Sequence, residues 1–220
     1  MPTVHALGEI ALIDRLRRRL GAAAHGRHVQ LSIGDDAAVL HLPAPPTGGA
    51  QAGGPGETLL LFASDMLVEG VHFRLPGHRR GRGVLPAKGI GWKALAANVS
   101  DIAAMGGRPL AAVVSLGVPP ATTTQFLDGL YGGIARCAKR CRVSVVGGDT
   151  VRSARVTVDV AILGTVECRH LTRRSGVRVG DVLFVTGRLG GSLRSGRHAR
   201  FVPRAREAQI LVRRVKVHAM

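Results

Sequence analysis

Stretches with the pattern of a strand alternate with stretches that have the pattern of a helix, and this order constrains the fold more than any other feature. Thr58–Ser64 is a nearly continuous apolar run with the length of a buried strand. Gly91–Met105 has an alanine- and leucine-rich helical pattern that stops at a Gly-Gly pair. The alternation continues with a predicted strand at Leu110–Val118, a helix at Thr124–Arg140 and a strand at Val143–Val146. This order predicts a protein of the α/β or α+β class.

The segments before this region have weaker patterns. Gly8–Leu20 alternates apolar and charged residues at helical spacing, which predicts an amphipathic helix that packs on the domain surface. A short strand is predicted at Leu31–Ile33. Two loops are predicted, at Pro43–Gly56, which is rich in Pro, Gly and Ala, and at the basic, glycine-rich segment Pro76–Gly89.

The character of the sequence changes near residue 166. Valines at positions 156, 158 and 160 alternate with polar residues and predict a strand with one buried face, which ends a first domain over residues 1–165. An arginine-rich connection, a predicted strand at Asp181–Thr186 and a basic helix near Arg204–Arg214 follow. One strand and one helix cannot hide both of their apolar faces. Residues 166–220 are therefore predicted to be the beginning of an incomplete second α/β domain.

The formal net charge of +17 raises the question of nucleic-acid binding. Arginine supplies nearly all of the positive charge and accompanies abundant Ala, Gly and Pro, which indicates a general compositional bias. Aromatic residues make up only 3% of the chain and form no motif for base stacking. We expect no specific nucleic-acid partner, although non-specific adhesion to polyanions at low salt is expected.

Targeting signals and cysteine motifs place further limits on the protein. No apolar run reaches the roughly 18 residues of a membrane span, and the beginning of the chain lacks a signal-peptide core. The sequence thus predicts a cytoplasmic protein without a membrane partner. The three cysteines include no Cys-x-x-Cys pair, so neither a disulfide nor a zinc site is expected.

Acidic residues are scarce, and their positions are informative for that reason. Only 14 residues are Asp or Glu. Four of them lie at or near predicted element ends or beside small residues: Asp36, Asp65, Asp101 and Asp149. Carboxylates at strand ends can converge on Mg²⁺, which prefers oxygen ligands and keeps water and substrate phosphates in its shell. The alternative is that Asp35, Asp36 and Asp149 are turn residues, since Gly-Asp pairs are common turn formers, and that Asp101 supports its helix.

Phosphate-binding loops of the usual kinds are absent from the sequence. It contains neither a Walker A sequence nor a Gly-x-Gly-x-x-Gly fingerprint. The glycine-rich turn at residues 187–191 is able to cradle an anion, but a single turn of this kind is weak support. His72, after Glu69-Gly70-Val71, is a candidate contact for a substrate phosphate, with a packed or surface histidine as the alternative.

Six longer motifs occur in order along nearly the whole chain. They are Gly-Asp-Asp-Ala-Ala at 34–38, Ser-Asp-Met-Leu-Val-Glu-Gly-Val-His-Phe at 64–73, Asn-Val-Ser-Asp-Ile-Ala-Ala-Met-Gly at 98–106, Gly-Gly-Asp-Thr at 147–150, Thr-Arg-Arg-Ser-Gly at 172–176 and Val-Thr-Gly-Arg-Leu-Gly at 185–190. Together they resemble the motifs of the bacterial thiamine-monophosphate kinase family. The segment 68–73 separates this resemblance from aminoimidazole ribonucleotide synthetase and selenophosphate synthetase.

The resemblance implies an activity, a set of site residues and an assembly. The implied reaction is direct in-line transfer of the ATP γ-phosphate to thiamine monophosphate, with several Mg²⁺ ions. The implied magnesium ligands are Asp36, Ser64, Asp65, Asp101 and Asp149. The implied ATP contacts are Tyr131, Gly148, Asp149 and Arg174, and His72 is the implied contact for the thiamine phosphate. The family fold implies an amino-terminal domain whose mixed or antiparallel sheet, covered by helices, pairs with its copy in a homodimer.

The chain also departs from the family pattern. The family continues beyond a segment similar to residues 218–220 into an Asp-x-Ser-Asp-Gly motif, and this chain stops before that motif. We therefore expect a fragment of a kinase with weak or no turnover. Two other hypotheses stay open: a non-catalytic dimerisation module that binds nucleotide or metal, and another ATP-dependent member of the same superfamily.

Overall fold

The computed structural model describes residues 8–42, 57–76 and 83–220. Four α-helices lie within these residues: α1 (Glu9–Leu20), α2 (Ala87–Ala104), α3 (Thr124–Cys141) and α4 (Ala205–Arg214). Six strands accompany them: β1 (Val29–Leu31), β2 (Ala38–His41), β3 (Thr58–Val68), β4 (Arg108–Val118), β5 (Ser144–Arg152) and β6 (Thr157–Glu167). The predicted loop at Pro43–Gly56 lies outside the described residues, as do residues 77–82 of the second predicted loop.

All six strands form one mixed sheet in the order β1-β2-β3-β6-β4-β5. The pairs are antiparallel except for β4 and β5, which run parallel. The central pair, β3 and β6, is in register over its whole length, from Thr58 opposite Glu167 to Val68 opposite Thr157. The predicted class, a mixed α/β fold with a mixed sheet and packed helices, is confirmed.

Helices α2 and α3 cover one face of this sheet and enclose the core. Residues such as Leu61, Val160 and Ile162 turn toward the helices and are fully buried. The two helices approach each other at glycines: a Cβ atom on Gly91 would lie 1.9 Å from the Leu130 carbonyl oxygen. Glycine thus permits a backbone contact between α2 and α3 that any larger residue would prevent.

The opposite face of the sheet is open and carries large apolar side chains. Side chains alternate between the two faces along each strand, so the residues between the core positions point outward. Phe62 and Met66 on β3, Val113 on β4 and Leu163 on β6 are between 39% and 52% exposed. This outward apolar face has no cover among the described residues.

Several element boundaries differ from the predictions because tertiary contacts extend or displace the elements. β1 precedes the predicted position, and Ile33 forms only an isolated bridge. β3 continues past Ser64 to Val68, since β6 pairs with it throughout, so Asp65 lies inside the strand and not at its end. β5 likewise runs through Gly147, Gly148 and Asp149 to Arg152, and α2 begins at Ala87 within the second predicted loop.

The last part of the chain has one predicted element and lacks another. Helix α4 is present, but the predicted strand at Asp181–Thr186 is wrong, because these residues have no regular structure. No neighbouring strand pairs with them among the described residues, and Leu183 is 97% exposed. This part does pack on the sheet domain, since Trp92 Nε1 donates a hydrogen bond of 2.7 Å to the Phe201 carbonyl oxygen. A domain division at residue 165 stays a prediction.

Helix α1 forms as predicted, but its predicted packing is wrong. None of its residues is buried, and Ile10 is 85% exposed. Its surface position is stabilised locally by ion pairs from Asp14 to Arg17 and Arg18. Within the ranges given above, no helix is long and apolar enough to cross a membrane.

Candidate functional site

Three carboxylates from distant parts of the chain lie within electrostatic reach of one another where β3 meets α2. We call Asp36, Asp65 and Asp101 the carboxylate cluster. Asp36 is in the turn between β1 and β2, Asp65 lies in β3, and Asp101 lies in the last part of α2. Repulsion from Asp36 acts on both other members, and Asp65 also acts on Asp101. The fold thus brings together three of the five predicted magnesium ligands.

Asn98 holds the two main elements of the cluster together. Its side chain is fully buried, and its Nδ2 donates to the Ala94 carbonyl oxygen at 3.0 Å. Its Oδ1 accepts a hydrogen bond of 3.0 Å from the backbone N–H of Asp65. Asn98 lies three residues before Asp101 in α2, so the two residues share a face of the helix. The structure gives Asn98 a more specific role, because it fixes β3 against α2 beside Asp65.

Burial and mutual repulsion perturb two carboxyl groups of the cluster. Burial is the main cause that raises the pKa of Asp101 to about 7, and the charges of Asp65 and Asp36 raise it further. Burial also raises the pKa of Asp65, with repulsion from Asp159 and Asp36 opposed by attraction to His72. Such shifts mark groups that are held together at a cost in electrostatic free energy, and they are common at functional sites.

Arg174 supplies a positive charge beside the carboxylate cluster. It begins a short 3₁₀ turn, Arg174–Gly176, and its backbone N–H donates to Asp35 Oδ2 at 3.2 Å. Its guanidinium forms an ion pair with Asp36, and that hydrogen bond raises the pKa of Arg174. The arginine side chain is 60% exposed, so part of its guanidinium is accessible to a ligand. Arg174 was predicted as an ATP contact, and it lies beside the carboxylate cluster.

Ser64 and Asp159 form a second polar group on the outward face. Ser64 Oγ donates a hydrogen bond of 2.9 Å to Asp159 Oδ1. Because neighbouring residues of a strand point to opposite faces, Ser64 points away from the face that Asp65 occupies. Asp159 was not predicted as a site residue. The available signal was a single carboxylate that interrupts the valines of a strand, but its position beside Ser64 depends on the pairing of β3 with β6.

Three of the predicted ATP contacts line one shallow hollow of about 390 Å³. Its walls are Tyr131, Val145, Gly147, Gly148, Asp149 and Thr150. Gly148 is required there, because a Cβ atom would lie 1.8 Å from the Val114 carbonyl oxygen and the backbone φ is +155°. The Asp149 carboxylate accepts a 2.8 Å hydrogen bond from the Thr150 N–H. We call this site the Tyr131 hollow.

The Tyr131 hollow and the carboxylate cluster are separate within one copy of the chain. Strands β6 and β4 lie between β3, which carries Asp65, and β5, which carries Asp149. Three inter-strand steps correspond to about 14 Å. Asp149 is also not among the charges that shift the pKa of Asp65 or Asp101. The structure therefore does not unite Asp149 with the other predicted magnesium ligands.

His72 lies in a tight turn after β3, close to the carboxylate cluster. Its Nδ1 accepts a 3.0 Å hydrogen bond from the Val68 N–H, which leaves the proton of the neutral ring on Nε2. Glu69 anchors the same turn, since its carboxylate accepts from the Val156 N–H at 3.0 Å and its N–H donates to the Val156 carbonyl at 2.9 Å. The Nε2–H of His72 can thus act as a hydrogen-bond donor to an anion.

The described residues suit magnesium in chemical type but do not form a closed metal cage. Across residues 8–42, 57–76 and 83–220, no three His, Cys, Asp or Glu side chains are arranged to hold a metal ion by themselves. The cluster does present carboxylate oxygens, and a cation would offset the burial and the mutual repulsion that raise the pKa of Asp65 and Asp101. Mg²⁺ commonly completes its shell with water and phosphate oxygens, so an open arrangement fits it.

Comparison with known proteins gives a consistent result. Residues 34–166 match the family described as AIR synthase related protein, N-terminal domain. The thiamine-monophosphate kinase of Rhodopirellula baltica is 38% identical over 192 residues, which are 87% of this chain and 56% of that protein. The thiamine-monophosphate kinase structure from Stenotrophomonas maltophilia is 30% identical with a TM-score of 0.63, and the match covers 94% of this chain and 65% of that one.

Another similar structure was solved with bound ligands. The structure described as AaThiL complexed with AMPPCP and TMP has a TM-score of 0.76 and 28% identity, and the match covers 96% of this chain and 64% of that one. The chain thus spans about half to two thirds of the length of the relatives that it matches.

Proposed function

Because the chain belongs to the AIR synthase related family, we propose that it forms the ATP- and magnesium-binding half of a thiamine-monophosphate kinase. The proposed reaction transfers the γ-phosphate of ATP to thiamine monophosphate and yields thiamine diphosphate and ADP. The observation that carries the proposal is the convergence of Asp36, Asp65 and Asp101, with Arg174 beside them, from four separate segments. The named relatives, of which this chain spans about half to two thirds, support the substrate assignment.

Each part of the site has a distinct proposed role. Asp36, Asp65 and Asp101 would hold one Mg²⁺, whereas Ser64 and Asp149, which the fold places apart from this cluster, would be ligands of other Mg²⁺ ions. When bound, Mg²⁺ supplies positive charge that neutralises phosphate oxygens during transfer. Tyr131, Gly148 and Asp149 would contact ATP in the hollow, and Arg174 would direct its guanidinium to phosphate oxygens through charge-assisted hydrogen bonds. His72 would donate its Nε2–H to the acceptor phosphate.

The outward apolar face of the sheet supports a homodimer. Four exposed apolar residues, Phe62, Met66, Val113 and Leu163, lie on neighbouring paired strands of this face. Such a surface on an extended sheet is typical of a protein interface. We expect Met66→Asp to shift the chain from dimer to monomer in analytical ultracentrifugation, whereas a wild-type chain that sediments as a monomer would rule this interface out. A cytoplasmic location and a domain boundary at residue 165 remain predictions.

Calorimetric titration of ATP, with and without MgCl₂, tests the binding function. We expect the chain to bind ATP in a magnesium-dependent manner, and we expect Asp65→Asn and Asp101→Asn each to weaken this binding at least about tenfold. Asp14→Asn is the matched control, because this carboxylate lies on the exposed helix α1. Equal binding with and without magnesium, or no effect of either cluster variant, would contradict the proposal.

An ADP-release assay with thiamine monophosphate separates the kinase from the non-catalytic alternative. Phosphoryl transfer depends on the positioning and charge neutralisation of both substrates, and the chain spans 56% of the Rhodopirellula baltica relative. We expect magnesium-dependent ATP binding with little turnover by this chain alone. Turnover similar to that of a full-length relative would show that these residues suffice for catalysis.

A further inference from the structure

Helix α2 is buried on nearly all sides and leaves one partly open stripe toward the candidate site. Its buried residues include Trp92, Leu95 and Val99, whereas Lys93, Ala97 and Asp101 are only partly buried. These last three follow one another at intervals of four residues and therefore lie on the same face. Lys93 and Asp101 are two helical turns apart, about 12 Å along the axis, with only the small side chain of Ala97 between them.

Lys93 has polar partners but no carboxylate. Its Nζ donates a 2.8 Å hydrogen bond to the His72 carbonyl oxygen and lies 3.3 Å from His198 Nδ1. Burial lowers the pKa of the Lys93 ammonium group. Among the residues that the structure describes, no ion pair links Lys93 to Asp or Glu.

His198 brings another titratable ring to the same place from a distant part of the chain. Burial and the nearby charge of Lys93 both lower the pKa of His198, so its ring is neutral near pH 7. A neutral ring does not balance the positive charge of Lys93. A cation that is partly removed from water without a counter-ion is unfavourable, and a bound anion would relieve this cost. The open stripe thus has a cationic end at Lys93 and an anionic end at Asp101.

We propose that Lys93, His198 and the Nε2–H of His72 form an anion site for a phosphate group. Lys93 supplies the charge, the two imidazoles supply directional hydrogen bonds, and Ala97 leaves space for the ligand between Lys93 and the carboxylate cluster. The assignment of this anion as the phosphate of the acceptor substrate rests on the proposed kinase function, whereas the anion site itself does not. Lys93 then acts as a positioning residue that aligns the acceptor with the cluster.

A purely structural role for Lys93 makes a different prediction. In that case Lys93 only clamps the turn that carries His72, through its hydrogen bond to the carbonyl oxygen. Lys93→Gln keeps an N–H donor and removes the charge, and Lys93→Arg keeps the charge. Lys88→Gln is the matched control, because Lys88 lies in the first turn of the same helix and is exposed.

The test is a titration of inorganic phosphate without ATP or magnesium, at about 150 mM salt to suppress non-specific binding. The imidazole signals of His72 and His198 are followed by NMR in isotope-labelled protein. We expect both signals to shift together and saturably in the wild type. We expect Lys93→Gln to raise the Kd about tenfold or more, and Lys93→Arg and Lys88→Gln to leave it within about threefold.

Three results would overturn the proposal. If phosphate shifts the NMR signals of neither His72 nor His198, these residues do not form an anion site. If Lys93→Gln binds phosphate as tightly as the wild type but alters the His72 signals of the free protein, Lys93 only stabilises the turn that carries His72. If Lys88→Gln weakens phosphate binding as much as Lys93→Gln does, the effect comes from the overall charge of the protein and not from a specific site.

A parallel titration with thiamine monophosphate tests the substrate assignment. An affinity for thiamine monophosphate that is no higher than the affinity for inorganic phosphate contradicts this assignment. Because ATP and magnesium are absent, the outcome does not depend on whether the chain binds magnesium-ATP.

Discussion

Strand β6 and the segment of residues 181–186 have similar valine-rich sequences but different structures. β6 pairs with β3 on one side and β4 on the other, and Val158, Val160 and Ile162 bury their side chains against the helices. Residues 181–186 have no strand partner among the described residues, and Phe184 is 78% exposed. The comparison shows that a segment with a β-pattern becomes a strand only where neighbouring strands can form hydrogen bonds with its backbone N–H and C=O groups.

The largest expected difference between the two regions comes from a buried charge in β6. Val160 is fully buried, so Val160→Asp places an unpaired carboxylate in the core. We expect a loss of more than about 4 kcal/mol in the free energy of unfolding, enough to prevent folding. Urea unfolding followed by circular dichroism measures this loss. A loss below about 1 kcal/mol would mean that the β3–β6 core is not formed as described.

A pair of glycines extends the comparison to backbone contacts. A Cβ atom on Gly148 in β5 would lie 1.8 Å from a carbonyl oxygen, whereas one on Gly190 in the irregular region would meet nothing within 4 Å. Both glycines have positive φ, so Gly190→Ala should cost only the conformational penalty of about 1 kcal/mol. We expect Gly148→Ala to cost about 3 kcal/mol and to weaken ATP binding in the Tyr131 hollow. Thermal unfolding and calorimetry of the two variants test this, and equal losses would contradict it.

Opposite pH dependences are expected for Asp101, in the helix α2 that packs on β6, and for Asp181, in the irregular segment. Burial raises the pKa of Asp101 to about 7, so its protonated form stabilises the fold. The contribution of protonated Asp101 to the free energy of unfolding is fully present below the ordinary pKa of 3.8 and is lost as the pH rises toward 7. We expect the metal-free chain to lose about 2 kcal/mol over this range, after allowance for solvent contact, and Asp101→Asn to abolish the loss.

Asp181 provides the contrasting carboxylate. Hydrogen bonds from the Arg178 N–H and from His218 lower the pKa of Asp181, so its contribution to stability is present above its ordinary pKa and is lost as the pH falls below it. Asp181→Asn is expected to leave the loss of stability between about pH 4 and pH 7 unchanged. Urea unfolding at a series of pH values distinguishes the two variants, and a similar pH profile for both would contradict the assignment.

The smallest effect is expected in the irregular segment itself. Leu183 is 97% exposed, so Leu183→Ser removes little buried surface and should change the free energy of unfolding by less than about 0.5 kcal/mol. The same urea measurement as for Val160→Asp provides a direct comparison. A loss of more than about 1.5 kcal/mol would show that Leu183 is packed in solution and that the contrast with β6 is incomplete.

Much of the fold was predictable from the sequence because local patterns agree with the tertiary structure there. The apolar run that begins at Thr58 and the helical patterns that became α2 and α3 were all assigned correctly. These elements lie in the core, where the spacing of apolar residues directly reflects burial. The predicted strand at Asp181–Thr186 failed for the opposite reason, since its pattern implies partner strands that the described part of the chain does not provide.

The candidate site was predictable only as a set of residues and not as an arrangement. The scarcity of acidic residues and the family motifs indicated Asp36, Asp65 and Asp101, which the structure brings together. The motifs gave no sign that Asp149 lies three inter-strand steps from β3, with β6 and β4 between them. Asp159 and Lys93 were not predicted as site residues, because a carboxylate inside a strand and a lysine inside a helix carry no local signal of function.

The sequence by itself determined the class of the fold, the order of its core elements and the residue types that meet at the candidate site. Those properties follow from local periodicity, turn chemistry and short motifs, which act over a few neighbouring residues. Only the tertiary structure decided that Asp65 faces α2 while Ser64 faces outward, and that His198 reaches Lys93. Strand register and contacts between distant segments decide such positions, because each depends on the simultaneous packing of many parts of the chain.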